Sequence, residues 1–172
     1  MLSPKILEAL NKQINAELFS EYLYLSMSAH FEAASLKGMA RWMRAQAGEE
    51  HGHALKFFDY VNDRDGRVTL AQIDAPKTDW KSAIDVFEDA LKHEQKVTGL
   101  INDISNLAFA EKDHASHDFL EWFVKEQVEE ESVARTIVDQ LKLIGGDGTG
   151  LYMIDQQLGQ RGSAAPPAAN AT

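Results

Sequence analysis

Cysteine is absent from this chain of 172 residues. That excludes disulfides, thiolate zinc sites and Cys-ligated iron–sulfur clusters. Proline, at 4, and glycine, at 11, are scarce, so long helices meet few breakers. No apolar run is long enough to span a bilayer. The N-terminus, Met1-Leu2-Ser3-Pro4-Lys5, runs into an amphipathic pattern without a signal-peptide apolar region. A cytoplasmic protein is the simplest expectation. Positive charge is in deficit, leaving a net −10. A nucleic-acid partner is disfavoured, because phosphate binding needs a basic face. The surplus carboxylates suit cations, or serve only solubility.

What is present is helical periodicity. Four long patterns run from about Pro4 to Phe31, Leu36 to Asp63, Ala83 to Ala110 and His114 to Ile144. Ser3 is a good N-cap with Pro4 at the first helical position. Ser82 with Asp85 three residues on reads as a capping box. Gly145-Gly146 ends the fourth pattern, and a short fifth runs from about Gly150 to Leu158. No alternating strand pattern competes. The expected fold is all-α: a four-helix bundle with a short fifth C-terminal helix. Short links around Ser35 and Lys112 force antiparallel neighbours. The middle link, Arg64 to Lys81, is polar and long enough at ~3.3 Å per residue to cross the whole bundle. Helices two and three therefore run parallel across a long crossover. The domain is set at residues 1–160, with a low-complexity tail over 161–172 expected to be disordered.

Each apolar stripe is broken near its middle by polar residues. Glu17 and Glu21 interrupt the first helix, and Gln46, Glu50 and His53 the second. Glu94 interrupts the third, and Gln127 and Glu130 the fourth. Helix midpoints meet at one height in a bundle, so these groups should converge. A positional echo supports this: adding 77 to Glu17, Glu49, Glu50 and His53 gives Glu94, Glu126, Gln127 and Glu130. Four buried carboxylates repel one another and cost several kcal/mol each when uncompensated. Lys and Arg are absent from the block, whereas two divalent cations balance the four charges. Glu50 and His53, at i and i+3, face one side of a turn. Mixed carboxylate and imidazole suits iron better than magnesium or structural zinc.

Glu17, Tyr24, Glu50-x-x-His53, Glu94 and Gln127-x-x-Glu130 together resemble the ferroxidase-centre pattern of non-haem bacterial ferritins. The resemblance covers residues 1–160, crossover and fifth helix included. Ferritin-like di-iron bundles typically repeat Glu-x-x-His on two helices; here the second copy is Gln127-x-x-Glu130. Bacterioferritins carry a haem-ligating Met directly after the first motif's Glu. His51 stands there instead, so haem is not expected.

The resemblance implies that Glu17, Glu50 and His53 bind a first iron. Glu50 bridges to a second, completed by Glu94 and Glu130, with Gln127 beside it as a hydrogen-bonding or weak ligand. Tyr24 is implied to stand by the centre, and Glu49, Glu126, Glu129 and Glu130 to form a third iron site. Trp122 is expected to pack near the centre. His30, His93, His114 and His117 are expected at surfaces or caps. The implied activity is Fe(II) oxidation by O₂ or H₂O₂, with Fe(III) mineral deposited inside a homo-oligomeric shell of twenty-four subunits. A di-iron enzyme without storage, a haem-carrying bacterioferritin and a metal-free structural bundle are the competing readings.

Overall fold

The computed structural model describes residues 1–161; the low-complexity tail from Gly162 to Thr172 lies outside the described residues. Among the described residues there are five helices and no strand: α1 (Pro4–Ala33), α2 (Lys37–Asp63), α3 (Ala83–Ala110), α4 (His114–Ile144) and α5 (Gly148–Leu158). The all-α bundle with its long crossover and short fifth helix is the architecture observed.

Local chemistry sets the ends. Ser3 caps α1 by accepting from the Ile6 N–H at 3.3 Å, and Ser82 caps α3 by accepting from Asp85 N–H at 3.3 Å. α5 starts at Gly148, not Gly150, because Asp147 accepts from the Gly150 N–H at 2.7 Å. α1, α2 and α3 close alike, with Ser35, Asp65 and Lys112 left-handed at φ 62°, 56° and 57°. The next N–H reaches back in each case: Leu36 to Phe31, Gly66 to Val61 and Asp113 to Ala108.

The crossover climbs α1 from start to finish. Asn11 donates to the Arg67 carbonyl at 3.1 Å and accepts from the Thr69 N–H at 2.8 Å. Asn15 donates to the Gln72 carbonyl at 3.3 Å, and Ser26 to the Lys77 carbonyl at 2.7 Å. Trp80 ends the climb edge-on to His30, 5.2 Å between ring centres. α3 therefore starts beside the end of α1 and runs parallel to α2. Helical spacing with Leu10 and Ile14 would put Leu7 on the apolar stripe, but it is only partly buried, since it faces Gly66 in this strap; Ile6 takes the core position.

α1 packs along α2, and α3 along α4. α2 and α4 meet through bulky side chains: Phe57 stacks on Phe123 at 4.1 Å and Tyr60 on Phe119 at 3.9 Å. The apolar core is split in two. One cluster holds Ile6, Leu10, Phe57, Ile101 and Leu120; the other holds Met27, Phe31, Trp42, Phe87 and Leu141. Buried polar side chains lie between them along the same helices.

α5 docks on the first turn of α2, whose own N-cap position, Leu36, offers no side-chain bond. Asp155 supplies the cap from 116 positions away, its carboxylate accepting from Met39 N–H at 2.9 Å. A Cβ on Gly38 would lie 1.7 Å from the Asp155 carbonyl oxygen. Gly38→Ala is therefore expected to push α5 off α2. Overpacking and the lost cap together cost about 2–4 kcal/mol. A lowered melting temperature and faster proteolysis around Gly145-Gly146 are the readouts. Gly48→Ala on the same helix meets nothing within 4 Å, so it should be neutral or stabilising by up to ~1 kcal/mol.

Candidate metal centre

The polar layer between the two apolar clusters collects side chains from all four long helices. Glu17 and Tyr24 come from α1, and Gln46, Glu50 and His53 from α2. Glu94 comes from α3, and Gln127 and Glu130 from α4. All are buried. Glu17, Glu50 and His53 each aim one ligand atom at a common point, those atoms lying within 4.8 Å of one another. His53 Nδ1 stands 3.5 Å from Glu50 Oε2, as the i, i+3 spacing requires. Its ring is wedged edge-on against Trp122 and Phe123, at 5.4 and 5.9 Å.

The other members are held by hydrogen bonds. Tyr24 donates its hydroxyl proton to Glu94. Gln127 donates to Glu94 Oε2 at 3.2 Å. Gln46 donates to Glu130 Oε2 at 2.7 Å and to Glu50 Oε1 at 3.4 Å. Gln13 donates to Glu17 Oε1 at 2.7 Å, while Glu17 Oε2 is buried with no hydrogen-bond partner among the described residues. An orphaned carboxylate oxygen facing a second carboxylate and an imidazole is costly unless a cation serves it.

The electrostatics say the same. Burial, then the Glu50 charge, pushes the Glu17 carboxyl up to about 8. Burial, then the Glu94 charge, raises Glu130 to about 7 and lifts Glu50 well above the carboxylate range. Burial also raises Glu94. These acids hold protons that a divalent cation can replace. Oxygen-rich donors with one imidazole suit Fe(II).

The chain matches the ferritin-like domain family over residues 7–144. It belongs to the ferritin family. It is 46% identical over 161 residues to a bacterial non-heme ferritin of Bacteroides fragilis, covering 94% of this chain and all of that one. A bacterial non-heme ferritin of Campylobacter jejuni is 43% identical, with 92% of this chain and 95% of the other covered. Among solved structures, an open pore ferritin from the hyperthermophilic archaeon Archaeoglobus fulgidus superposes with a TM-score of 0.92 at 47% identity. The match spans 92% of this chain and 98% of that one.

Within this ferritin-family subunit some expected residues stand apart. Glu21 is not in the core; it accepts from or pairs with His51 Nδ1 at 3.0 Å on the outside. Glu49 and Glu129 are exposed and Glu126 half-buried. Among the described residues they do not join Glu130 in any group as tight as that of Glu17, Glu50 and His53. Trp122 touches His53 yet remains partly exposed, with the Lys56 ammonium 2.9 Å over its ring. His93 is no surface group: it is half-buried, 2.7 Å from Ser20 Oγ, and burial lowers its pKa to about 4.

Gln46, read from the sequence as part of the polar block, is buried there. Two contributors escaped the spacing argument, Gln13 and Arg161. Gln13 carries no charge to mark it. Gln13 did lie one helical turn before Glu17, a usable signal. Arg161 lies in the segment expected to be tail, and the polar block was expected to hold no cation. Instead its guanidinium donates to Gln46 and Glu49.

Proposed function

We propose that this chain is an iron-storage ferritin subunit that oxidises Fe(II) at an intra-subunit di-iron centre and delivers Fe(III) to a mineral in a hollow shell. The observation that carries it is the buried convergence of Glu17, Glu50 and His53 with Glu94 and Glu130 beside them. Glu17, Glu50 and His53 hold the first Fe(II). Glu50 bridges to a second, which Glu94 and Glu130 complete. Two Fe(II) side by side supply two electrons to one O₂, which with two protons gives H₂O₂ and two Fe(III). Peroxide serves as the alternative oxidant.

The residues do the rest. Protonated Glu17 and Glu130 release their protons as metal enters. Gln127 and Tyr24 fix Glu94 from two sides, so its free lone pairs keep one direction. The apolar clusters above and below the layer exclude water and keep the carboxylates in a low-dielectric site. Glu49, Glu126, Glu129 and Glu130 form the outward route for Fe(III), as a third iron site. Haem has no part in the proposal, and neither does a nucleic acid or a membrane; among the described residues no helix is long and apolar enough to cross one. Cytoplasmic action is part of the same reading. The shell is a homo-oligomer of twenty-four subunits. Family membership supports a shell.

The test joins stoichiometry to size. Metal-free protein is mixed with Fe(II) in air and oxygen uptake is followed. The products are then resolved by size with iron detection. A fast phase of two Fe(II) per subunit, followed by iron co-eluting with a large assembly far beyond that ratio, is expected. Iron held only at two per chain on a monomer or dimer points to a di-iron enzyme without storage.

A further inference from the structure

The end of α5 reaches into the polar layer. Arg161 follows α5 in a turn, its N–H donating to the Leu158 carbonyl at 3.1 Å. Its guanidinium lies 4.6 Å over the Trp42 ring. Nη1 donates to Gln46 Oε1 at 2.8 Å and Nη2 to Glu49 Oε2 at 2.7 Å. A guanidinium only donates, so it can meet only the oxygen of the Gln46 amide. The amide nitrogen is thereby turned inward, where it donates to Glu130 and Glu50. One cation thus does two things: it sets an amide that holds two buried carboxyls, and it neutralises the carboxylate outside them.

We propose that Arg161 is a positioning residue and built-in counter-cation, which orients Gln46 toward Glu50 and Glu130 and competes with a metal ion for Glu49. The proposal rests on the reading of the layer as a metal centre. Metal passing outward from Glu130 meets a protein cation already seated on the next acid. Like charges compete for one carboxylate, so metal at Glu49 and seating of Arg161 on its Oε2 weaken one another. The α5 docking at Gly38 and Asp155 places Arg161 within reach, because only two residues separate it from Leu158. Anything that shifts α5 therefore alters which cation Glu49 accepts.

The test uses Zn(II), which is redox-inert, titrated calorimetrically into the full chain in its native assembly. Arg161→Gln should weaken the tight class several-fold, because Gln46 is no longer held toward Glu50 and Glu130, and should strengthen a weaker class about tenfold. Adding Glu49→Gln to that variant should remove the gain. Arg161→Lys, which keeps the charge, should bring the weaker class back toward the parent. Zinc anomalous density in Arg161→Gln crystals should appear at Glu49. Equal weak-class affinity and equal zinc density at Glu49 in parent and Arg161→Gln overturn the proposal. Absence of the tight class from both proteins instead sinks the metal-centre reading, and this one with it.

Discussion

Glu50→Gln raises the melting temperature of the metal-free protein and removes its tight metal binding. The two effects have opposite signs for one reason. Glu50 is buried between Glu17, His53 and Gln46, and burial with the Glu94 charge disfavours its ionised form. A glutamine has the shape of the protonated acid without a charge to desolvate. Near neutral pH the parent must take up a proton on Glu50 or bury its charge as it folds, and avoiding that cost is worth about 1–4 kcal/mol. The same change deletes the anion that the two metal positions share. Outer-shell changes at metal sites already cost about 10–100-fold in affinity, so losing a bridging ligand should exceed ~100-fold. Scanning calorimetry of chelator-treated protein and Zn(II) titration give the two numbers. A variant that binds Zn(II) as tightly as the parent removes Glu50 from the centre. If neither protein binds metal, the buried acids are structural.

The second large effect concerns pH, and metal inverts its direction. Glu17 is raised to about 8 and Glu130 to about 7, from an ordinary 4.5. Below about 4.5 folded and unfolded chains both hold these protons, and the contribution is flat. As pH climbs from there, the unfolded chain sheds them while the folded one keeps them. The folded state binds the excess protons, so it loses stability with rising pH until about 7 for Glu130 and about 8 for Glu17. Each carboxyl contributes about 1.4 kcal/mol per pH unit inside its window. Glu50 and Glu94 push in the same direction. Metal-free protein should therefore melt lower at pH 8 than at pH 5. Saturating Zn(II) displaces the same protons, so its binding strengthens over that window and the melting temperature should rise instead. A metal-free melting temperature that climbs from pH 5 to pH 8 contradicts the buried, proton-holding acids.

How much of this was legible in the sequence depends on the physical range of each feature. Helix ends marked by Ser3, Ser82 and Gly145 rest on neighbours within four positions, so they could be read directly. The burial of Glu17, Glu50, Glu94 and Glu130 could be inferred because each breaks an apolar stripe at mid-helix, and equal helices share a midpoint. Leu7 and Ile6 are adjacent on one edge of the α1 stripe, and only the strap at Gly66 decides between them. Asp155 capping α2 is different in kind. Its partner is an amide 116 positions away, and nothing local marks an aspartate in a short helix as a remote cap. Arg161 was hidden for the same reason. A charged residue next to a low-complexity stretch reads as solvated until α5 is docked. Glu49, Glu126 and Glu129 show the converse limit: the family resemblance groups them across α2 and α4, but their spacing does not say how their side chains pair.

The strap along α1 has one more consequence. Asn11, Asn15 and Ser26 grip it through main-chain atoms of Arg67, Thr69, Gln72 and Lys77, never through its side chains. Its route is thus written into α1, while Leu70 within it points largely to water and Ile73 is about one-third exposed. Residues 70–76 form a stretch where foreign peptide sequence can be grafted without rerouting the chain, provided the carbonyl of position 72 still meets Asn15.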